Sequence, residues 1–173
     1  MDRIIAKINE GKKVVIIGIG NRLRRDDGIG SIIAEKLKEK IKRENLFIID
    51  AENTPENYIG KIKKVSPELL LIIDAVDFGS YPGDFRIFKI NEIRETTIST
   101  HNFSISLLKK FIKADEIYLL GIQPGNISLG ENLTDKVKKT VEKIIEKFNF
   151  LPTTPKPYHS TIPPAHLRGG KKG

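Results

Sequence analysis

Cysteine and tryptophan are absent from this 173-residue chain, and methionine occurs once. Without cysteine there are no disulfides, no thiolate nucleophile and no sulfur-ligated zinc or iron–sulfur centre, so any metal must be met by oxygen and imidazole. Long apolar runs are missing as well. The longest, VVIIGIG and LLLII, have the length of strands, far short of the roughly 20 residues that span a bilayer. The opening MDRIIAKINEGKK is broken by charges and lacks a signal-peptide pattern. No membrane association is therefore expected, and the cytoplasm is the expected location. The chain also lacks a GxSxG nucleophile elbow, a P-loop and an HExxH zinc motif.

What remains is the composition of one soluble domain large enough to bury a core, expected over residues 1–149. Half of the net charge of +8 lies in residues 150–173, which carry Lys156, Arg168, Lys171 and Lys172 and no acid. That segment also holds five of the nine prolines, so it reads as an extended or disordered tail. Elsewhere lysine and glutamate interleave, as in KVKKTVEKIIEK, which is the pattern of solvated helix faces and not of a nucleic-acid patch. No nucleic-acid partner is expected, and a monomer is.

Apolar runs and helical periodicities alternate along the chain. Lys13–Ile19 reads as a strand buried on both faces, followed by a helix over Gly28–Lys42 with Ile29, Ile33 and Leu37 on one side. Leu46–Asp50 reads as a second strand, Pro55–Val65 as a short helix with Thr54 as its cap, and Pro67–Asp74 as a third strand. Asp84–Ile90 alternates like an edge strand with one wet face. A helix over Phe103–Ile112, a strand over Glu116–Ile122 and an amphipathic helix over Leu133–Phe148 complete the pattern. The expected architecture is an α/β three-layer sandwich, with a twisted, mostly parallel five-stranded sheet and helices on both faces.

Three ligand-type side chains fall near the ends of these strands. Asp27 follows VVIIGIGNRLRRD, Asp74 follows ELLLII, and His101 stands in STHNFS as the one histidine of the patterned region. Ligands of open α/β sheets bind outside the carboxyl ends of strands, so two carboxylates and an imidazole there would form a small open metal site. Spacing alone leaves choices open, because Asp50 and Asp77 also lie near strand ends and Asp26 adjoins Asp27. Of that pair, one carboxylate is expected to cap the following helix and the other to face the crevice. An aspartic dyad of Asp27 and Asp74 is a further alternative. His159 and His166 lie in the tail and are expected to be inert. GIGN at Gly18–Asn21 resembles part of a dinucleotide motif, but Leu23 occupies the place of its third glycine.

Together, GIGNRLRRDDGIG, LLLIIDA, STHNFS and LLGIQPGNISLGENLT resemble the NiFe-hydrogenase maturation endopeptidases, in that family's order, over residues 13 to 148. The resemblance implies a protease that removes the C-terminal extension of a hydrogenase large-subunit precursor after nickel insertion. It further implies that Asp27, Asp74 and His101 recognise nickel supplied by that precursor, with Asp26 outside the set. Arg22, Arg24 and Arg25 depart from the less charged loop usual in the family, and solvation is their favoured reading over contact with an acidic precursor. Two other classes compete. A peptidyl-tRNA hydrolase also opens with a strand and a GxGN loop, although Arg22-Leu23 here replaces its Pro-Gly. A nucleotide-binding regulatory module is the non-enzymatic alternative.

Overall fold

In the computed structural model, which describes residues 1–92, 98, 99 and 101–149, the Val/Ile run forms strand β1 (Val14–Gly18), buried at every position. It pairs in parallel with β2 (Leu46–Asp50) on one side and β3 (Leu69–Asp77) on the other. Beyond β3 lies β6 (Glu116–Ile122), also parallel, and then the edge strand β4 (Phe85–Lys89), antiparallel to β6. The order β2-β1-β3-β6-β4 is the expected mostly parallel five-stranded sheet. A two-residue strand, β5 (Ile98–Ser99), adds an antiparallel pair to the end of β3.

Successive residues of a strand face opposite sides, and the two cores follow that parity. Val14, Ile16, Leu69, Leu71 and Ile73 pack beneath α1 (Asp2–Asn9), α2 (Ile29–Lys40) and α5 (Asp135–Phe148). Val15, Ile17, Leu70 and Ile72 pack against α3 (Ile59–Val65) and α4 (Asn102–Phe111), through Ile62, Ile105 and Leu108. The result is the expected helix–sheet–helix sandwich.

Three local readings change. Helix α1 was not expected, because eight charged-interrupted residues make a marginal helix alone; burial of Ile4 and Ile8 and an ion pair from Arg3 to Glu116 hold it. Asp26 and Asp27 do not start α2 but lie in a 3₁₀ turn, Arg25–Gly28. The helix expected from Pro55 opens as a 3₁₀ turn, Pro55–Tyr58, and the Thr54 side chain makes no cap bond. The tail expectation for residues 150–173, with His159 and His166, lies outside the described residues, as does Thr100 of the STHNFS turn.

The chain leaves β1 to form β2 on one side and returns to form β3 on the other, so the crevice above β1 and β3 is the topological switch point. Helix α2 enters it at van der Waals limits. A Cβ on Gly30 would stand 2.2 Å from the Ile73 carbonyl oxygen and 2.3 Å from that of Ile19. Only glycine lets the helix start sit against the backbone of the two strands.

Candidate functional site

Asp74 continues the parity of Leu70 and Ile72 and faces the α3/α4 layer, fully buried. It lies inside β3 and not after it, since β6 pairs with Asp74 and Ala75 and β5 carries the strand on to Asp77. Its Oδ1 accepts the Ala75 backbone N–H at 2.9 Å and lies 3.1 Å from Nδ1 of His101. His101 precedes α4, and its carbonyl accepts the Ile105 N–H at 2.9 Å, which ties its backbone to the first turn of that helix. In the tautomer whose Nδ1–H donates to Asp74, Nε2 is the acceptor nitrogen of the ring.

The electrostatics of the imidazole tie the three expected residues together. Burial is the largest influence and lowers the His101 pKa, but the hydrogen bond and charge of Asp74, with the charge of Asp27, outweigh it. The net direction is upward, against a smaller opposing effect of Arg24. Asp27 is 1% exposed and lines a cleft of about 250 Å³ with Ala75, Asp77, Gln123 and the 124–127 loop. The structure thus brings Asp27, Asp74 and His101 into one neighbourhood. Among the described residues, however, no three His, Asp or Glu side chains are arranged as a ready-made cage for an ion. The donor set suits a nickel ion that brings further ligands with it, since imidazole and carboxylate leave coordination positions open.

The neighbouring acids have other tasks. Asp50 accepts from Arg22 at 2.6 Å and from Ser31 Oγ at 2.7 Å, away from the cleft. Asp77 accepts from the Gly79 N–H and from Gln123 Nε2, which hold its carboxyl below the usual range, the Gly79 bond most strongly. Asp26 does not cap α2. Its buried carboxylate accepts the backbone N–H groups of Gly125, Asn126 and Thr134 and the Thr134 hydroxyl, at 2.7–2.9 Å. It therefore pins the loop between β6 and α5 to the turn that carries Asp27.

The arginines are not merely solvating. Arg22 is shared by Asp50, Glu35 and Ser31, and Arg24 Nε donates to the Ile127 carbonyl at 3.2 Å. The glycines of GIGN serve internal packing. A Cβ on Gly18 would meet the Gly30 carbonyl at 2.1 Å, and one on Gly20 the Asp27 carbonyl at 2.2 Å. These glycines let α2 and the acidic turn close onto β1.

Sequence reasoning missed Asp26 and Gln123 as builders of the cleft. Gln123 follows β6 directly and is buried, and its Oε1 accepts the N–H groups of Phe78 and Ser80. A buried amide just beyond a buried strand, in GIQPG, was the available signal.

Comparisons with known proteins agree with the fold and with the family resemblance. The model of a family described as hydrogenase maturation protease matches residues 32–149. The hydrogenase 3 maturation protease of Escherichia coli is 36% identical over 136 residues, covering 77% of this chain and 86% of its own. The crystal structure of the NiFe-hydrogenase maturation protease HycI from Thermococcus kodakarensis superposes with a TM-score of 0.70 at 30% identity. That match covers 86% of this chain and 98% of the other. The hydrogenase maturating endopeptidase HybD from E. coli superposes with a TM-score of 0.68 at 25% identity, over 78% and 88%.

Proposed function

This chain belongs to the hydrogenase maturation protease family and is a peptide hydrolase of that kind, and we propose that it removes the C-terminal extension of a hydrogenase large-subunit precursor once nickel has been inserted. Asp27, Asp74 and His101 recognise that nickel, which arrives as part of the substrate. The observation that carries this reading is the Asp74–His101 contact at the sheet's switch point, with Asp27 close enough to raise the imidazole's pKa. Nickel held there would polarise or orient the scissile carbonyl. The chain's own contribution is positional: Asp74 holds the ring, β3 holds Asp74, and Asp26 holds the turn of Asp27 against the 125–134 segment.

The protein acts as a monomer in the cytoplasm, without nucleic acid. None of the described helices is long and apolar enough to cross a membrane. The test is intact-mass analysis of a nickel-loaded precursor incubated with wild type and with Asp27→Ala. A discrete C-terminal mass loss with wild type only supports the reading. No loss with either, when the precursor is shown to hold nickel, overturns it. Loss with both keeps the protease and removes Asp27 from its site.

A further inference from the structure

Five large apolar side chains are exposed among the described residues, and their distribution is uneven. Leu23 (62% exposed) is on the loop after β1, and Tyr81 (68%) is between β3 and β4. Phe103 (76%) is two residues beyond His101, and Leu129 (81%) is between β6 and α5. The Leu23, Tyr81 and Leu129 segments border the cleft, which is lined by Asp27 and residues 123–127, whereas Phe103 belongs to α4, none of whose residues lines it. Leu23 and Leu129 are neighbours through a bridge: the Gly130 N–H donates to the Leu23 carbonyl, and the Arg25 N–H donates to that of Gly130. The Tyr81 loop closes on the cleft from the other side, where Pro82 stands against Gly125. The fifth, Phe111, ends α4 away from this rim and is flanked by the ammonium groups of Lys63 and Lys110.

Scattered apolar residues need no explanation, but several around one cleft do. Size supplies the reason. A cleft of about 250 Å³ lies below the usual range of even small-molecule pockets and admits only a short stretch of polypeptide. A stable contact between proteins needs about 800 Å² from each partner. Affinity for a folded protein must therefore come from surface outside the cleft and continuous with it.

We propose that Leu23, Tyr81 and Leu129 form an apolar collar that docks the folded body of the precursor around the segment entering the cleft. The partner is a protein surface with a complementary apolar patch encircling the base of a protruding chain. This rests on the reading of the cleft as the place of cleavage. The collar supplies affinity for the folded partner, and the polar cleft supplies recognition of its metal and peptide.

The test is equilibrium binding of the nickel-loaded precursor, carrying its extension, to the full chain and its variants, with cleavage scored by mass on the same samples. Leu23→Ser/Leu129→Ser and Tyr81→Ser should each weaken binding by about tenfold or more, as loss of interface anchors does. Phe111→Ser should bind as wild type, and circular dichroism should show every variant folded. Equal binding by all variants, or no binding by wild type, overturns the collar. So does a wild-type dimer in sedimentation that Leu23→Ser/Leu129→Ser converts to monomer, since the surface would then join two copies. Cleavage with collar-independent binding leaves the protease reading standing and removes the collar. Collar-dependent binding without cleavage does the reverse.

Discussion

Asp74 Oδ1 lies 3.1 Å from Nδ1 of His101, joining a residue fully buried in the central strand to one at the rim. A carboxylate behind an imidazole fixes the ring and stabilises its protonated form.

That pair has a measurable titration. The folded pKa of His101 is raised above its ordinary 6.5. Its stabilisation is therefore fully present below that value and is lost as pH rises through the folded pKa. Asp74→Asn removes the charge and leaves burial, which lowers the pKa, as the stronger influence. In NMR titrations, with the His101 signal assigned by comparison with His101→Ala, wild type should titrate above 6.5 and Asp74→Asn below wild type. Coincident curves would contradict the contact.

Asp26 is a second case where one carboxylate holds distant chain. Asp26→Ala removes a buried carboxylate and with it four charge-assisted hydrogen bonds, from three part-buried backbone N–H groups and a hydroxyl. The expected cost is about 3 kcal/mol or more, read as a melting temperature lowered by about 6 °C or more in a chain of this size. An unchanged melting temperature would show that the loop does not depend on it.

Two glycines should respond in opposite directions. Gly30→Ala drives a methyl into the carbonyl oxygens of Ile73 and Ile19, with an expected loss of about 2–3 kcal/mol from backbone displacement. Gly60, within α3, has nothing within 4 Å of its would-be Cβ. Gly60→Ala should stabilise by about 0.5–1 kcal/mol. Urea denaturation of both variants checks the contrast.

The N-terminal helix has an acid-side signature. Arg3, with Tyr118, holds Glu116 down at about 2 from its ordinary 4.5. Its stabilisation is present above 4.5 and is lost as pH falls towards 2. Glu116→Gln should therefore narrow the stability difference from wild type across that interval. Parallel melting curves from pH 5 to pH 2 would contradict it.

Much of this fold was legible because strands buried on both faces write themselves as runs such as VVIIG and LLLII. His101 was legible as a lone imidazole in patterned sequence. What stayed hidden depended on partners remote in the chain. Asp74 reads as the end of a strand, because the ladder continues past it only through remote partners, β6 to Ala75 and the two-residue β5 to Asp77. Asp26 reads as a helix cap, because its true donors lie about 100 residues away. Helix α1 is too short to announce itself, and its stability comes from tertiary contact. Arg22 reads as solvating until Asp50 and Ser31 are seen beside it.

The central claim is that Asp27, Asp74 and His101 read nickel carried by the substrate. The most direct measurement compares two preparations of one precursor, nickel-loaded and nickel-free, each incubated with the wild-type protein and with His101→Ala and followed by intact mass. Loss of the C-terminal extension from the nickel-loaded precursor alone, and with wild type alone, is the predicted result. Equal trimming of the nickel-free precursor, or trimming by His101→Ala at the wild-type rate, would contradict it.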